Sequence, residues 1–329
     1  MSSDNTSTNT QAHTQPHATL VKPGVLALLM DAGRFGQHGL GLTTGGPLDA
    51  EAFFWANALV GNAPEATAIE VSVGGLELRA DTPLTLAVTG AQMPLSIDGK
   101  PQPLWQSHRV PAGSLVKLAF AESGARAYLA VAGGFAVAPE FGSTATVVRE
   151  SIGGLDGKAL GAGTTLPLNP PADAPALARL PEPLRPEYAT TPTLRVLEGY
   201  QVAHFSTAQR ALFYSNEYSL SQQCDRMGFR LSGPALKCAL GGIVSEGICL
   251  GAIQVPADGQ PIILLNDRQT IGGYPKIGSV FTGDLHLLAQ LMPGAKVRFA
   301  PMDAACAHAE LLLAERRRQQ ALKQLETPS

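Results

Sequence analysis

Chemistry-bearing residues concentrate in two stretches of this 329-residue chain. The first is Asp31-Ala-Gly33-Arg34-Phe-Gly36-Gln37-His38, within a glycine-rich loop that runs on to Asp49. Glycines let backbone N–H groups close on an anion, and one guanidinium can grip it as a fork. A turn-rich connection stapled by an Asp31–Arg34 pair is the plainer alternative. The second stretch lies in the C-terminal half, where CDRMGFRL carries Asp225, Arg226 and Arg230. Ser245-Glu246 follows, then GAIQVPADGQPIILLNDRQTIGGYPKIG from Gly251 to Gly278. There an apolar run, Ile262–Leu265, delivers Asn266, Asp267 and Arg268 at its end, and the turn Gly272-Gly273-Tyr274-Pro275-Lys276 comes at once. Acid, guanidinium, amide, phenol and ammonium so close together are costly to bury, so they face solvent or build a site. Asp267 is of the type for a base or metal ligand, and Arg268 and Lys276 for gripping carboxylate or phosphate oxygens. A solvated hairpin tip, or half of a structural ion-pair network through Asp267–Arg268, reads equally well from the residues.

Other chemistries lack their signatures. The chain has no G-x-x-x-x-G-K-[ST] phosphate loop, no G-x-S-x-G elbow, no H-E-x-x-H and no G-x-G-x-x-G after a strand. Cys224, Cys238, Cys249 and Cys306 fit neither C-x-x-C nor a zinc spacing, which predicts reduced thiols in the cytoplasm. A disulfide among the first three stays open. A net charge of −3, with 16% charged residues, leaves no basic stripe for nucleic acid. The single basic run, Arg316–Arg318, reads as a solvated helix face. No apolar stretch approaches the ~20 residues that span a bilayer. The polar start, MSSDNTSTNTQAHTQPHA, lacks a signal-peptide core and reads as a disordered tail over residues 1–19 without a part in the chemistry.

The elements that must position these residues are mainly strands. The 35 glycines and 25 prolines exceed by about half the roughly 12% of average usage, as a chain with many reversals requires. Val25–Met30 predicts a buried strand, and the runs IEVSV, LELR, LTLAVTG, LVKLAF and RAYLAVAG predict short strands bounded by turn residues. Asp49 as N-cap, Glu51 in the first turn and Gly61 as stop predict a helix over Ala50–Val60. The proline-dense segment 169–192 divides a β-rich N-terminal domain (20–168) from a second domain (193–302) built on LRVLEG, IILLN and KVRFA. A short helix is expected over Asp284–Leu291. A C-terminal helix within 303–329 is expected to pack through Leu312, Leu313, Leu322 and Leu325.

At these motifs the sequence resembles the allophanate hydrolase subunit 2 family, also called the carboxyltransferase C–D subdomain family, within the biotin-dependent carboxyltransferases. The members that serve as the C component of 5-oxoprolinase are the nearest in character. The resemblance runs from about Val21 to Phe299 through DAGRFGQHGLG, GGPLDAEAFFWANALVGN, IEVSVGG, VTGA, RAYLAVAGG, SIGGLDGKAL, DRMGFRL and SEGICLGAIQVPADGQPIILLNDRQTIGGYPKIG. Two features depart from the family pattern. Met30 precedes Asp31 where a Gln is common, and Gly142-Ser143-Thr144-Ala145-Thr146 lacks a central Arg.

The resemblance implies a mainly β fold of tandem cyclophilin-like β-barrel domains with a few short helices. It implies one component of an ATP-dependent 5-oxoprolinase that opens 5-oxo-L-proline to L-glutamate, inactive alone and working in a heteromer with a B-like and an A-like partner chain. A lactam carbonyl is a poor electrophile, and phosphorylating its oxygen would improve it, which calls for cationic clamps and Mg²⁺. ATP and Mg²⁺ are therefore the implied cofactors, with no metal ligand assigned. No A-M-K-M-like biotin acceptor occurs, so no covalent biotin is expected on this chain. The matching motifs imply Asp267, Lys276 and Glu246 as catalytic candidates. They imply Arg34, His38, Arg226, Gln254, Gln260, Arg268, Gly272, Gly273 and Tyr274 as substrate- or ATP-binding candidates. Two alternatives come with the family: half of a carboxyltransferase acting on carboxybiotin and a urea-like substrate, and a regulatory binding module that antagonises a kinase inhibitor.

Overall fold

Alternation sets the first layer of the structure, a computed structural model that describes residues 15–173, 175–188 and 190–328. Leu76, Leu78 and Ala80 are buried while Glu77 and Arg79 between them face outward, so the strand Leu76–Ala80 lays one face on a core. It belongs to a six-stranded sheet in the order Thr165–Pro167, His17–Pro23, Leu76–Ala80, Leu115–Leu118, Leu95–Ile97 and Lys100–Gln102. A second, five-stranded sheet runs Leu26–Met30, Ala68–Ser72, Ser123–Val131, Leu84–Gln92 and Ser107–Val110. Helix α1 (Ala50–Leu59) packs on this second sheet, with the Asp49 carboxylate accepting from the Ala52 N–H at 2.8 Å as its cap.

The C-terminal half closes. Seven strands form a barrel in the order Thr193–Glu198, Lys276–Val280, Ala252–Gln254, Ile262–Leu264, Gly228–Ser232, Tyr218–Cys224 and Lys296–Pro301. The last and first pair in parallel, Thr193 opposite Arg298, which removes the open edges. Leu194, Val196, Phe229, Leu231, Ile253, Ile263, Ile277, Val297 and Phe299 share its apolar core. The mainly β expectation holds, with the barrel closed in the C-terminal half and the N-terminal strands divided between two sheets.

Three further α-helices occur among the described residues: α2 (Thr207–Ser215), α3 (Leu285–Ala289) and α4 (Ala304–Leu322). Helix α2 was not legible in the sequence. It buries one residue, Phe213, whose ring stacks on Phe299 at 4.3 Å between centroids. Helix α4 corrects the expected packing in part: Leu312, Leu313 and Leu322 are exposed and the helix buries Ala307 and Ala321, while Leu325, beyond its end, packs against the N-terminal core as expected. Arg318 lies over the Phe54 ring at 4.6 Å and pairs with Glu51 at 2.7 Å, so α4 returns to the N-terminal unit. Within the proline-rich segment Leu180 is wholly buried and its N–H donates to the Trp105 carbonyl at 2.9 Å. The expected tail is also corrected at its end. His17–Pro23 is a strand with Ala18 and Leu20 wholly buried, while residues 1–14 lie outside the described residues. No described helix is long and apolar enough to cross a membrane, and all four cysteines are free.

Candidate functional site

The candidate residues gather in two places, of which the first is the seam between the two halves. Arg226 sits in the turn between the strands Tyr218–Cys224 and Gly228–Ser232. Its Nε and Nη2 donate to the two Asp267 oxygens, each at 3.0 Å. Its Nη1 donates to Glu70 Oε1 and its Nη2 to the Gly46 carbonyl, each at 2.6 Å. Glu70 Oε2 accepts from the Leu48 N–H at 3.0 Å and the Tyr128 hydroxyl at 2.7 Å. That hydroxyl accepts from the Asp49 N–H at 2.8 Å, and Asp49 Oδ2 accepts from Tyr188 and Gln290, each at 2.7 Å. The network therefore crosses from one half to the other twice, entirely inside the protein.

Its electrostatics follow from that burial. Desolvation pushes the Glu70 carboxyl upward, but Arg226 and then Arg126 outweigh it and hold Glu70 below the usual glutamate range. Desolvation works against the charged Arg226, and Asp267 and Glu70 overcome it, so its guanidinium is held above the ordinary value. Asp267 is raised by burial, which Arg226 only partly offsets. With both oxygens engaged by Arg226 in a buried site, Asp267 has no open face for a reacting group or a metal. This geometry favours the structural ion-pair alternative, with Arg226 rather than Arg268 as the partner.

The second place is the outer wall of the barrel. Ile253 and Val255 point into the barrel core, so Gln254 between them faces outward. Ile253 pairs with Gly278, but Gln254 pairs with Lys276 rather than Ile277, which marks a bulge. Without the bulge Gln254 would lie opposite a core residue. With it, an amide and an ammonium become cross-strand neighbours on one face. A two-stranded flap covers them, Glu246–Gly247 paired with Ile271–Gly272. Glu246 on the flap forms an ion pair with Lys276 on the wall, and Lys276 Nζ also donates to the Gly247 carbonyl at 3.3 Å. Gln201 Nε2 donates to Glu246 Oε1 at 3.0 Å. The Lys276 ammonium first, and the Gln201 amide second, hold Glu246 below the ordinary carboxylate range. Gln254 is 2% exposed, and its buried Nε2 has no partner. Gly272 lies over that amide, because a Cβ there would meet Gln254 Nε2 at 2.8 Å and Ile248 Cδ1 at 2.5 Å.

The remaining candidates are scattered or structural. Arg268 Nε and Nη1 donate to the carbonyls of Ile248 and Leu265, at 3.1 and 3.2 Å, and brace the base of the flap. The Gly273 carbonyl accepts from the Ile243 N–H at 2.9 Å, and Tyr274 beside it is half-exposed. Arg34 is wholly buried, donating to the carbonyls of Glu140, Ser143 and Ala145, with Nη1 unpartnered. The Asp31–Arg34 pair is not made. Asp31 instead accepts from the Gly33 N–H, the Ser143 hydroxyl and the Thr144 N–H, locking the loop to segment 140–145. Three of the Arg34 bonds are thus spent on backbone carbonyls, which hold the loop to segment 140–145. His38 is exposed and shares a hydrogen bond with Thr44 at 3.0 Å. The Gln260 amide is engaged with the Gly233 backbone.

Gln201 and Glu70 are the residues that sequence reasoning missed. Gln201 sits in an unpatterned turn and carried no signal. Glu70 carried one, as an acid among the buried strand residues Ala68, Ile69 and Val71. Surface clefts of about 460 and 410 Å³ contain none of the candidates and lie mostly on the N-terminal unit. Among the described residues no three His, Cys, Asp or Glu side chains converge on a metal-sized centre. Glu246 is the one carboxylate in the wall cluster and is already bonded twice, so the wall cluster's donors do not fit a Mg²⁺ site.

Comparisons with known proteins span both halves of the chain. The family model "carboxyltransferase domain, subdomain A and B" matches residues 40–301, so the subdomain pair is A and B rather than the expected C–D. The chain is 36% identical over 275 residues to the 5-oxoprolinase C subunit of Haemophilus influenzae, covering 83% of this chain and 87% of that protein. It is 35% identical over 313 residues to the 5-oxoprolinase C subunit of Escherichia coli, covering 93% and 96%. Among solved structures, the urea carboxylase of Kluyveromyces lactis superposes with a TM-score of 0.88 at 25% identity, over 94% of this chain but 29% of that one.

Proposed function

The chain belongs to the carboxyltransferase domain family, subdomains A and B, and from that premise we propose that it is one component of a multi-chain 5-oxoprolinase. In this reading the complex opens 5-oxo-L-proline to L-glutamate with hydrolysis of ATP, in the cytoplasm, and this chain is inactive without a B-like and an A-like partner. The observation that carries the reading is the 35% identity, over 93% of this chain and 96% of the other, to a protein named as that component. The four free cysteines are in keeping with a reducing compartment.

The wall cluster is the part of this chain assigned to the lactam. Of the three cationic clamps expected, Arg226 is enclosed in the seam and Arg268 donates to two backbone carbonyls. Lys276 remains, tied to a carboxylate that reaches solvent. In this reading ATP and Mg²⁺ are handled by the assembled complex, and no phosphoryl step is assigned to this chain alone. The carboxyltransferase alternative, on carboxybiotin carried by another protein, is favoured by the superposition on urea carboxylase. The test is glutamate release by the co-purified complex, with and without ATP. ATP-dependent glutamate that vanishes when this chain is omitted supports the reading. No glutamate, with carboxyl transfer from a biotinylated carrier, selects the alternative.

A further inference from the structure

We propose that the barrel wall beneath the flap is a subsite for a small carboxylate bearing a nearby carbonyl, held by Lys276 and Gln254, with Glu246 as the resident counter-ion that the ligand displaces. The inference rests on the lactam-opening reading, in which 5-oxo-L-proline is such a molecule.

Three observations carry it. The first is the buried Gln254 Nε2 without a partner. A buried donor left unmade costs about 1–3 kcal/mol, so a native protein keeps one where something else is to fill it. The second is the bulge, which makes Gln254 and Lys276 cross-strand partners. The third is that the Lys276 ion pair spans two elements, wall and flap. Gly272 above the amide is the residue type that leaves this approach unfilled, because any Cβ would reach within 2.8 Å of it.

Together these make an exchange. A ligand carboxylate that takes Lys276 replaces one negative charge by another, and Glu246, already half-exposed, turns to water. The flap strand then loses its ionic tie to the wall. It keeps Lys276 Nζ to the Gly247 carbonyl at 3.3 Å and, at its base, Arg268 Nε to the Ile248 carbonyl at 3.1 Å. Within itself the flap is held by the Glu246–Gly247 and Ile271–Gly272 pairing, Ile248 N–H to the Thr270 carbonyl at 3.0 Å, and Ile243 N–H to the Gly273 carbonyl at 2.9 Å. A ladder this short opens at small cost. Once it lifts, Gln254 Nε2 can donate to the ligand's carbonyl.

The experiment titrates the purified complex with 5-oxo-L-proline and with 2-pyrrolidinone, the same lactam without its carboxylate, by calorimetry. Glu246→Gln is expected to bind 5-oxo-L-proline several-fold tighter than wild type, since no competing charge holds Lys276. Gln254→Ala is expected to weaken it about tenfold, and 2-pyrrolidinone to bind far more weakly than 5-oxo-L-proline. Unchanged affinity in Gln254→Ala and Glu246→Gln, with normal melting, overturns the subsite and leaves the amide to an ordered water. Equal binding of both lactams also overturns it. Turnover with unchanged affinities would spare the oxoprolinase reading and reject the subsite; the expected affinities without turnover would do the reverse.

Discussion

The seam and the barrel wall are made of the same residue types and differ in how completely they are satisfied. At the seam, Arg226 meets Glu70, Asp267 and a carbonyl; both Asp267 oxygens are taken by Arg226, and Glu70 finds further donors in the Leu48 N–H and the Tyr128 hydroxyl. On the wall, Lys276 meets one half-exposed acid and a buried amide has no partner at all. A closed network fixes two bodies to each other, because every group would lose a partner on separation. An incomplete one is where a ligand can supply the missing group. Density of polar residues marked both regions in the sequence; completeness of bonding separates them.

The largest effect expected is at the seam. Arg226→Ala leaves Glu70 and Asp267 buried without their cation and should cost about 3–5 kcal/mol of stability, read from urea midpoints. A variant that melts like wild type but has lost turnover would erase the contrast between the two regions. On the wall, Gly272→Ala should raise KM for the lactam about tenfold through the Gln254 contact. The overpacking cost in stability should stay at about 1–3 kcal/mol. An unchanged KM in a folded complex would remove the flap from the site.

A third test uses pH. Glu70 is held below the 4.5 of an unperturbed glutamate in the folded protein. It therefore contributes stability that is present above 4.5 and lost as pH falls through its lowered folded value. Stability against pH should accordingly be flatter between 4.5 and that lowered value in Glu70→Gln than in wild type, and parallel curves would deny the seam its ionic character. The smallest effect is reserved for Gln260→Ala, which touches only the Gly233 backbone. It should stay within about 0.5 kcal/mol of wild type with full activity, and a large loss of turnover would extend the site beyond the wall.

Much of this was readable from residues alone, for reasons that differ by element. Alternation in LELR and the Asp49 cap predicted their strand and helix because each is a local pattern. The glycine-rich loop and the Asn266–Asp267 turn were both singled out, yet their contact was not legible. The Gly45 N–H donates to the Asn266 carbonyl at 3.1 Å, across more than two hundred residues of chain. The pairing of Gln254 with Lys276 depends on a bulge, a one-residue register shift that no local pattern announces. Helix α4 misled in the opposite direction, since its leucines suggested a packing face and its alanines make it. Residues His17–Thr19 read as tail by composition, but their strand lies between two others in the six-stranded sheet.

The central claim is that the wall cluster, rather than the seam, serves an ATP-dependent lactam opening in the assembled enzyme. Its most direct test is glutamate release from 5-oxo-L-proline by the reconstituted complex carrying wild-type chain, Lys276→Ala chain or no chain. ATP-dependent glutamate is expected with wild type, a loss on the order of a hundredfold, or about 2.7 kcal/mol, with a folded, assembled Lys276→Ala complex, and none without the chain. Near-normal turnover by the Lys276→Ala complex would contradict it.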